Sequence, residues 1–229
     1  MNVQEATTRR LPDLKERHLP ENCRETINTI LKETYGYEQF RNLEIYDDLS
    51  KGKEKLCISQ GQLIENVILE AEKAWKGETQ VDNILLTAPT GSGKSLLFQL
   101  PAIYLGKEYN LLTIVVSPLK ALIVDQVESL QELGYTRVAY ASSDLSPEQK
   151  MEVYRQVREG EIDLFYLSPE LLLSYDIKHF VGERRIGLVV VDEAHTVTTW
   201  GKEFRVDYWF LGRYLNTLKQ TLGYNFPLF

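Results

Sequence analysis

From Leu111 onward the chain alternates short, almost purely apolar runs with longer stretches whose apolar positions recur at helical spacing. Strands are predicted over residues 111–116, 137–140, 163–167 and 187–191. Helices are predicted over 119–133, 147–158, 169–174 and 207–222. Apolar strands separated by helices and joined by short polar turns specify a mostly parallel sheet covered by helices on both faces. Upstream, Ile64, Val67, Ile68, Ala71 and Ala74 share one face of a helix predicted over 62–75. Ile27, Ile30 and Leu31 mark an earlier helix, starting at Pro20 or with Asn22 as its cap and ending near Thr34. Residues 1–20 carry no sustained apolar period, and residues 42–60 read as a loop or hairpin. The predicted division is an N-terminal helical extension over 1–60 followed by an α/β domain over 61–229.

One further apolar run, 84–87, predicts a buried strand leading into Ala88-Pro89-Thr90-Gly91-Ser92-Gly93-Lys94-Ser95 and then an apolar segment of helical length. This is a phosphate-binding loop in its expected context. Glycines let the backbone curl so that N–H groups from Thr90 to Ser95 converge on one anion, and the helix that comes next adds its positive end. Lys94 would reach the terminal phosphates of a nucleoside triphosphate, and the Ser95 hydroxyl would ligate Mg²⁺. Ala88 stands where the strict motif has its first glycine, at the loop entry and away from the phosphates.

The apolar run 188–191 ends in Asp192 and Glu193. Opposite a phosphate loop, such a pair has a defined use: Asp192 holds Mg²⁺ through water, and Glu193 orients and deprotonates the attacking water. His195 is either a buried structural histidine or a coupling residue beside these carboxylates. In sheets of this kind the ligand site lies at the carboxyl ends of the strands, and both motifs fall there.

A formal net charge of −7 argues against binding nucleic acid over the whole surface. Lys plus Arg against Asp plus Glu is 10 to 11 over residues 1–60 and 16 to 22 over 61–229, so neither part is a basic arm. Any nucleic-acid contact must come from a few placed groups. No stretch approaches membrane-spanning length, and the segment MNVQEATTRR has no apolar signal core. A soluble, cytoplasmic protein is expected, nucleoid-associated if the source is bacterial. Cys23 and Cys57 lack metal-ligand or redox spacing and are expected to be reduced.

The sequence TGSGKS together with Asp192-Glu193-Ala194-His195 resembles the superfamily 2 helicases, and several further stretches are similar to the RecQ branch. TGSGKSLLFQLPA resembles that branch's phosphate loop and helix. Residues 116–122, VSPLKAL, continued by Asp125-Gln126-Val127, resemble the motif that tracks a nucleic-acid strand, and YLSPEL at 166–171 resembles the next DNA-side motif. Residues 192–208, DEAHTVTTWGKEFRVDY, resemble the family's aromatic-rich loop, with Trp200, Phe204 and Arg205 at its matching positions. An aromatic plane and an arginine there can stack on a base and hold a phosphate. Alternatively, Trp200 and Phe204, four apart, form a helical core pair. LKETYGYEQFR resembles the start of the adenine-recognition motif, which reaches a Gln soon after its Phe-Arg pair. The best counterpart is Gly61-Gln62, which makes residues 42–60 an insertion. Tyr37 and Arg41 would then sandwich the adenine while Gln62 reads its edge.

The resemblance implies a RecA-like P-loop NTPase domain, the first motor domain of a 3′-to-5′ ATP-dependent DNA helicase, with ATP and Mg²⁺ as cofactors. It places Pro118, Lys120, Ser143, Ser168, Trp200, Phe204 and Arg205 on DNA. The family would continue past Phe229 into a third motif and a second RecA-like domain, so this part alone is expected to bind nucleotide without unwinding. A nucleotide-dependent switch or recruitment module in a DNA-processing or defence complex is the alternative, and a small-molecule phosphotransferase a third.

Overall fold

The computed structural model describes residues 20–46, 55–87, 91–194 and 206–229. Four parallel strands form the central sheet in the order β4 (Val138–Ala141), β5 (Leu164–Leu167), β3 (Leu112–Val116), β6 (Ile186–Val191). Each lies within a residue or two of its predicted position. Two more strands, β1 (Asn42–Tyr46) and β2 (Lys55–Ser59), pair antiparallel as a separate hairpin.

Helices cover both faces because the strands are apolar on both. Along β3, Leu112, Ile114 and Val116 join one core cluster while Val115 joins the other, as the twofold alternation of a strand requires. The first layer contains α1 (Glu25–Tyr35), α2 (Gln60–Trp75), α3 (Leu96–Tyr109) and α4 (Lys120–Glu132). The second contains α5 (Pro147–Glu159), α6 (Pro169–Ser174), α7 (Ile177–Val181) and α8 (Val206–Leu222). The short α7 was not anticipated, because five residues carry too little periodicity. α1 begins later than expected, with Arg24 as its N-cap rather than Asn22. α3 is buried from Leu96 to Gly106 and apolar all round, the pattern of a helix packed on every side.

The amino ends of the strands are locked by Asp163. Fully buried, it accepts hydrogen bonds from Tyr135 Oη (2.8 Å), Arg137 Nε (2.6 Å) and Arg184 Nη2 (3.1 Å).

The predicted buried strand over 84–87 is not realised. Leu85 is 76% exposed and only Ile84 and Leu86 pack on the core. A sheet-like bond runs to the last residues of the chain, where Ile84 N–H donates to the Leu228 carbonyl (2.8 Å). The Leu228 N–H in turn donates to Asn83 Oδ1 (3.0 Å). On its other side this terminal segment forms a parallel bridge to β6. Phe229 N–H donates to Val189 O (2.9 Å) and Val191 N–H to Phe229 O (2.8 Å). Residues 227–229 therefore lie between β6 and the approach to the phosphate loop. Among the described residues no helix is long and apolar enough to cross a membrane.

Candidate nucleotide site and its neighbouring surface

Gly91 (φ +80°) and Gly93 (φ +78°) hold the left-handed backbone that shapes the phosphate loop, a conformation that costs other residues strain. Ser95 comes next as the N-cap of the fourteen-residue α3, with no capping bond from its hydroxyl. The helix thus presents its first-turn N–H groups and positive end where an anion is expected. Gly91, Ser92, Gly93, Lys94 and Ser95 are brought together as the sequence indicates. Thr90, with Ala88 and Pro89, lies outside the described residues.

A residue that sequence reasoning passed over contacts this loop. Gln60, 2% exposed at the start of α2, donates from Nε2 to the Ser92 carbonyl (3.1 Å). Its Oε1 accepts from the Arg41 backbone N–H (3.2 Å), and its own N–H donates to Arg41 O (2.9 Å). A Cβ on Gly93 would stand 2.6 Å from Gln60 Nε2, so a side chain there would have to displace the Gln60 amide, in addition to straining the backbone.

The segment after Arg41 leaves this contact intact because its two ends pair with each other. Residues 42–46 pair with 55–59, from Asn42↔Ser59 to Tyr46↔Lys55, returning the chain to α2 beside Arg41. Phe40 then packs against Gly61, where an added Cβ would meet its ring at 2.7 Å. Tyr37, 51% exposed, stacks on Tyr35 with centroids 6.2 Å apart and planes 18° from parallel, leaving its outer surface open. The Arg41 side chain is exposed on the same motif.

Gln62, the expected reader of the adenine edge, is committed elsewhere. Its Oε1 accepts from Ser59 N–H (3.0 Å) in a capping box, and its Nε2 donates to Pro20 O (3.2 Å). The signal was present in the sequence: Ser59 with Gln62 three residues on is a capping pattern.

β6 delivers the carboxylates. Asp192 N–H donates to Val116 O (2.9 Å), prolonging the ladder, and Glu193 N–H donates to Asp192 Oδ1 (2.9 Å). Glu193 has φ +53°, the left-handed region, at the abrupt end of the strand. His195 lies outside the described residues, as do Trp200, Phe204 and Arg205.

The remaining candidates lie along the carboxyl edge of β3, β4 and β5. Pro118 stands just past β3 and is buried; Lys120 opens α4 and forms an ion pair with Asp144 from the loop after β4. Ser143, exposed, has its hydroxyl 3.4 Å from Asp144 Oδ1. Ser168 caps α6, its hydroxyl accepting from Leu171 N–H (3.3 Å). These four come from three successive strand ends and so share one edge of the sheet.

Residues 63–224 match the model of the family described as DEAD/DEAH box helicase. The chain belongs to this family. It is 30% identical over 187 residues to the ATP-dependent DNA helicase RecQ of Haemophilus influenzae, covering 82% of this chain and 25% of that one. To the ATP-dependent DNA helicase RecQ of Synechocystis it is 33% identical over 202 residues, covering 87% and 35%. The chain therefore spans between a quarter and about a third of the length of these curated relatives. Among solved structures, the UvsW helicase from bacteriophage T4 aligns at a TM-score of 0.49 and 16% identity, over 94% of this chain and 63% of that one. The DEAD/DEAH match contains the phosphate loop and Asp192-Glu193. The hairpin and Gln60 precede it.

Proposed function

We propose that this chain is the ATP-binding motor domain of a RecQ-like DNA helicase with 3′-to-5′ polarity. In this reading residues 1–60 form an extension and residues 61–229 the RecA-like domain. One observation carries it: residues 227–229 bridge β6 to Ile84, so the approach to the phosphate loop and the strand bearing Asp192 and Glu193 lie two strand spacings apart, roughly 10 Å. That separation suits a bound nucleoside triphosphate with its terminal phosphate directed at the carboxylates.

The residues fit Mg·ATP. The glycine turns and the start of α3 supply the anion cradle, Lys94 neutralises the terminal phosphates, and Ser95 with Asp192 would hold Mg²⁺. When bound, the metal supplies charge neutralisation on the phosphates. Glu193 orients and deprotonates the attacking water, and His195 relays occupancy of the site to the neighbouring loop. Tyr37 and Arg41 would sandwich the adenine, with Gln60 holding the turn that carries Arg41 against the phosphate loop. Pro118, Lys120, Ser143 and Ser168, together with Trp200, Phe204 and Arg205, form the DNA side. A second RecA-like domain closes the cleft in the intact protein, so this domain alone binds nucleotide and does not unwind DNA.

Titration with a fluorescent ADP analogue and Mg²⁺ tests this. Lys94→Ala should weaken binding at least tenfold, about 1.4 kcal/mol or more, and EDTA should weaken it in the unaltered chain. Undiminished affinity in Lys94→Ala would sink the assignment.

A further inference from the structure

Gln99 lies one turn into α3, and its backbone N–H donates to the Ser95 carbonyl (2.9 Å) at the phosphate loop. Its buried side chain meets three other elements. Oε1 accepts from the Tyr35 hydroxyl of α1 at 2.8 Å. Nε2 donates both to Gln126 Oε1 of α4, at 2.8 Å, and to the Tyr166 hydroxyl of β5, at 3.1 Å.

These partners lead to different places. Tyr35 stacks on Tyr37, whose open surface is the candidate adenine platform. Gln126 is six residues along α4 from Lys120, and Tyr166 is two residues before Ser168. Burial raises the pKa of the Tyr166 hydroxyl; the bond from Gln99 opposes that rise, and the charge of Asp192 adds to it, so Tyr166 also feels the carboxylate at the end of β6.

A carboxamide is planar and rigid, and both of its ends are engaged here: the oxygen on the nucleotide side, both N–H groups on the nucleic-acid side. If Tyr35 or the first turn of α3 shifts, the amide must turn, and Nε2 leaves Gln126, Tyr166 or both. Tyr166, fully buried, finds no water to replace it, whereas Gln126 is half-buried. The alternative arrangements of this one group are therefore discrete, as coupling between sites requires.

We propose that Gln99 is a positioning residue that couples nucleotide binding, at the phosphate loop and Tyr37, to the nucleic-acid face carried by α4 and the end of β5. The inference rests on the functional reading above. By linkage the effect runs equally in both directions.

The test uses the 229-residue chain, with a fluorescein-labelled oligothymidylate titrated with and without saturating Mg²⁺ and a non-hydrolysable ATP analogue, and the reciprocal titration. The unaltered chain should show the same coupling factor in both directions, about fivefold or more. Gln99→Leu should bring that factor to about one while each separate affinity stays within about threefold. Tyr35→Phe and Tyr166→Phe keep the rings and delete single bonds, so they should fold even where Gln99→Leu does not, and each should reduce the factor. Variants that melt earlier but keep the full factor would make the network structural only and overturn the proposal. So would an unaltered chain that binds both ligands without coupling, although the functional reading then survives. If the chain binds neither ligand, both fall.

Discussion

Gln60 makes three bonds to backbone, two from its buried side-chain amide and one from its own backbone: Arg41 N–H donates to its Oε1, its Nε2 donates to Ser92 O, and its backbone N–H donates to Arg41 O. Such a group orders the turn carrying Arg41 and the phosphate loop together, before any ligand arrives. Gln62, two residues on, has the same chemistry and a different task, since both ends of its amide are used at the N-terminus of α2. The two substitutions should therefore separate. Gln60→Ala is expected to weaken Mg·ADP binding by about 1–2 kcal/mol, roughly five- to thirtyfold. Gln62→Ala should leave that affinity unchanged while lowering stability by about 1 kcal/mol through loss of the cap. Nucleotide titration and urea denaturation of both variants decide it; the reverse pattern would return the adenine role to Gln62.

Among the elements, α1 and α2 depend on one ionic cluster. Arg24 donates to Glu65 from Nη2 (2.6 Å) and to Glu72 from Nη1 (2.6 Å), with both carboxylates nearly buried on α2. Glu72 also accepts from Tyr104 (3.2 Å) and Tyr109 (2.9 Å). Burial pushes the Glu72 carboxyl up, but hydrogen bonds from Arg24 and Tyr109, with the Arg24 charge and Tyr104, together hold it below its usual range. A depressed carboxylate contributes stability above its unfolded pKa and loses it as pH falls through the folded value. Arg24→Ala leaves both carboxylates without their cation and should destabilise the fold by about 3 kcal/mol at pH 7. The deficit should shrink as pH drops toward 4.5, the ordinary value for Glu72, because the variant's buried carboxyl then gains by protonating. Urea midpoints across that range check the sign; a deficit that grows in acid would contradict it. At this scale the sequence was legible wherever one pattern dominated. β3, β5 and β6 are buried apolar runs, and α6 lies between Ser168, Pro169 and the end of its apolar turn, so their positions were readable. Residues 42–60 read as a loop or hairpin, and the pairing of 42–46 with 55–59 makes them the latter, but the contacts of Gln60 and the course of residues 84–87 were not readable. Their conformations are set by partners remote in sequence, namely Arg41, the phosphate loop and the last residues of the chain, and no local period records such partners.

Across the whole molecule, the phosphate loop and the Asp192-Glu193 pair, about a hundred residues apart, are bridged by a third segment. Residues 227–229 lend backbone to both sides: Leu228 O accepts from Ile84, and Phe229 exchanges hydrogen bonds with Val189 and Val191 of β6. Phe226, fully buried, fixes them in the second core layer, while the Phe229 ring packs against Phe98 of α3 with centroids 6.3 Å apart. Removing residues 227–229 takes away none of the candidate site residues, yet it frees Ile84 and exposes the edge of β6. The amides of Ile84 and Val191, which donate to Leu228 O and Phe229 O in the full chain, should then exchange far faster, and Mg·ADP affinity should fall by at least about 1.4 kcal/mol, tenfold. Amides of β4 and β5, two or more strands away, should keep their protection. Uniform loss of protection would mean that the truncation unfolds the domain, and unchanged nucleotide affinity would mean that the phosphate loop holds its place without this strand. Protection lost on one side of the sheet together with weaker binding is the outcome expected of a molecule in which the strand between the loop and the carboxylates sets their spacing.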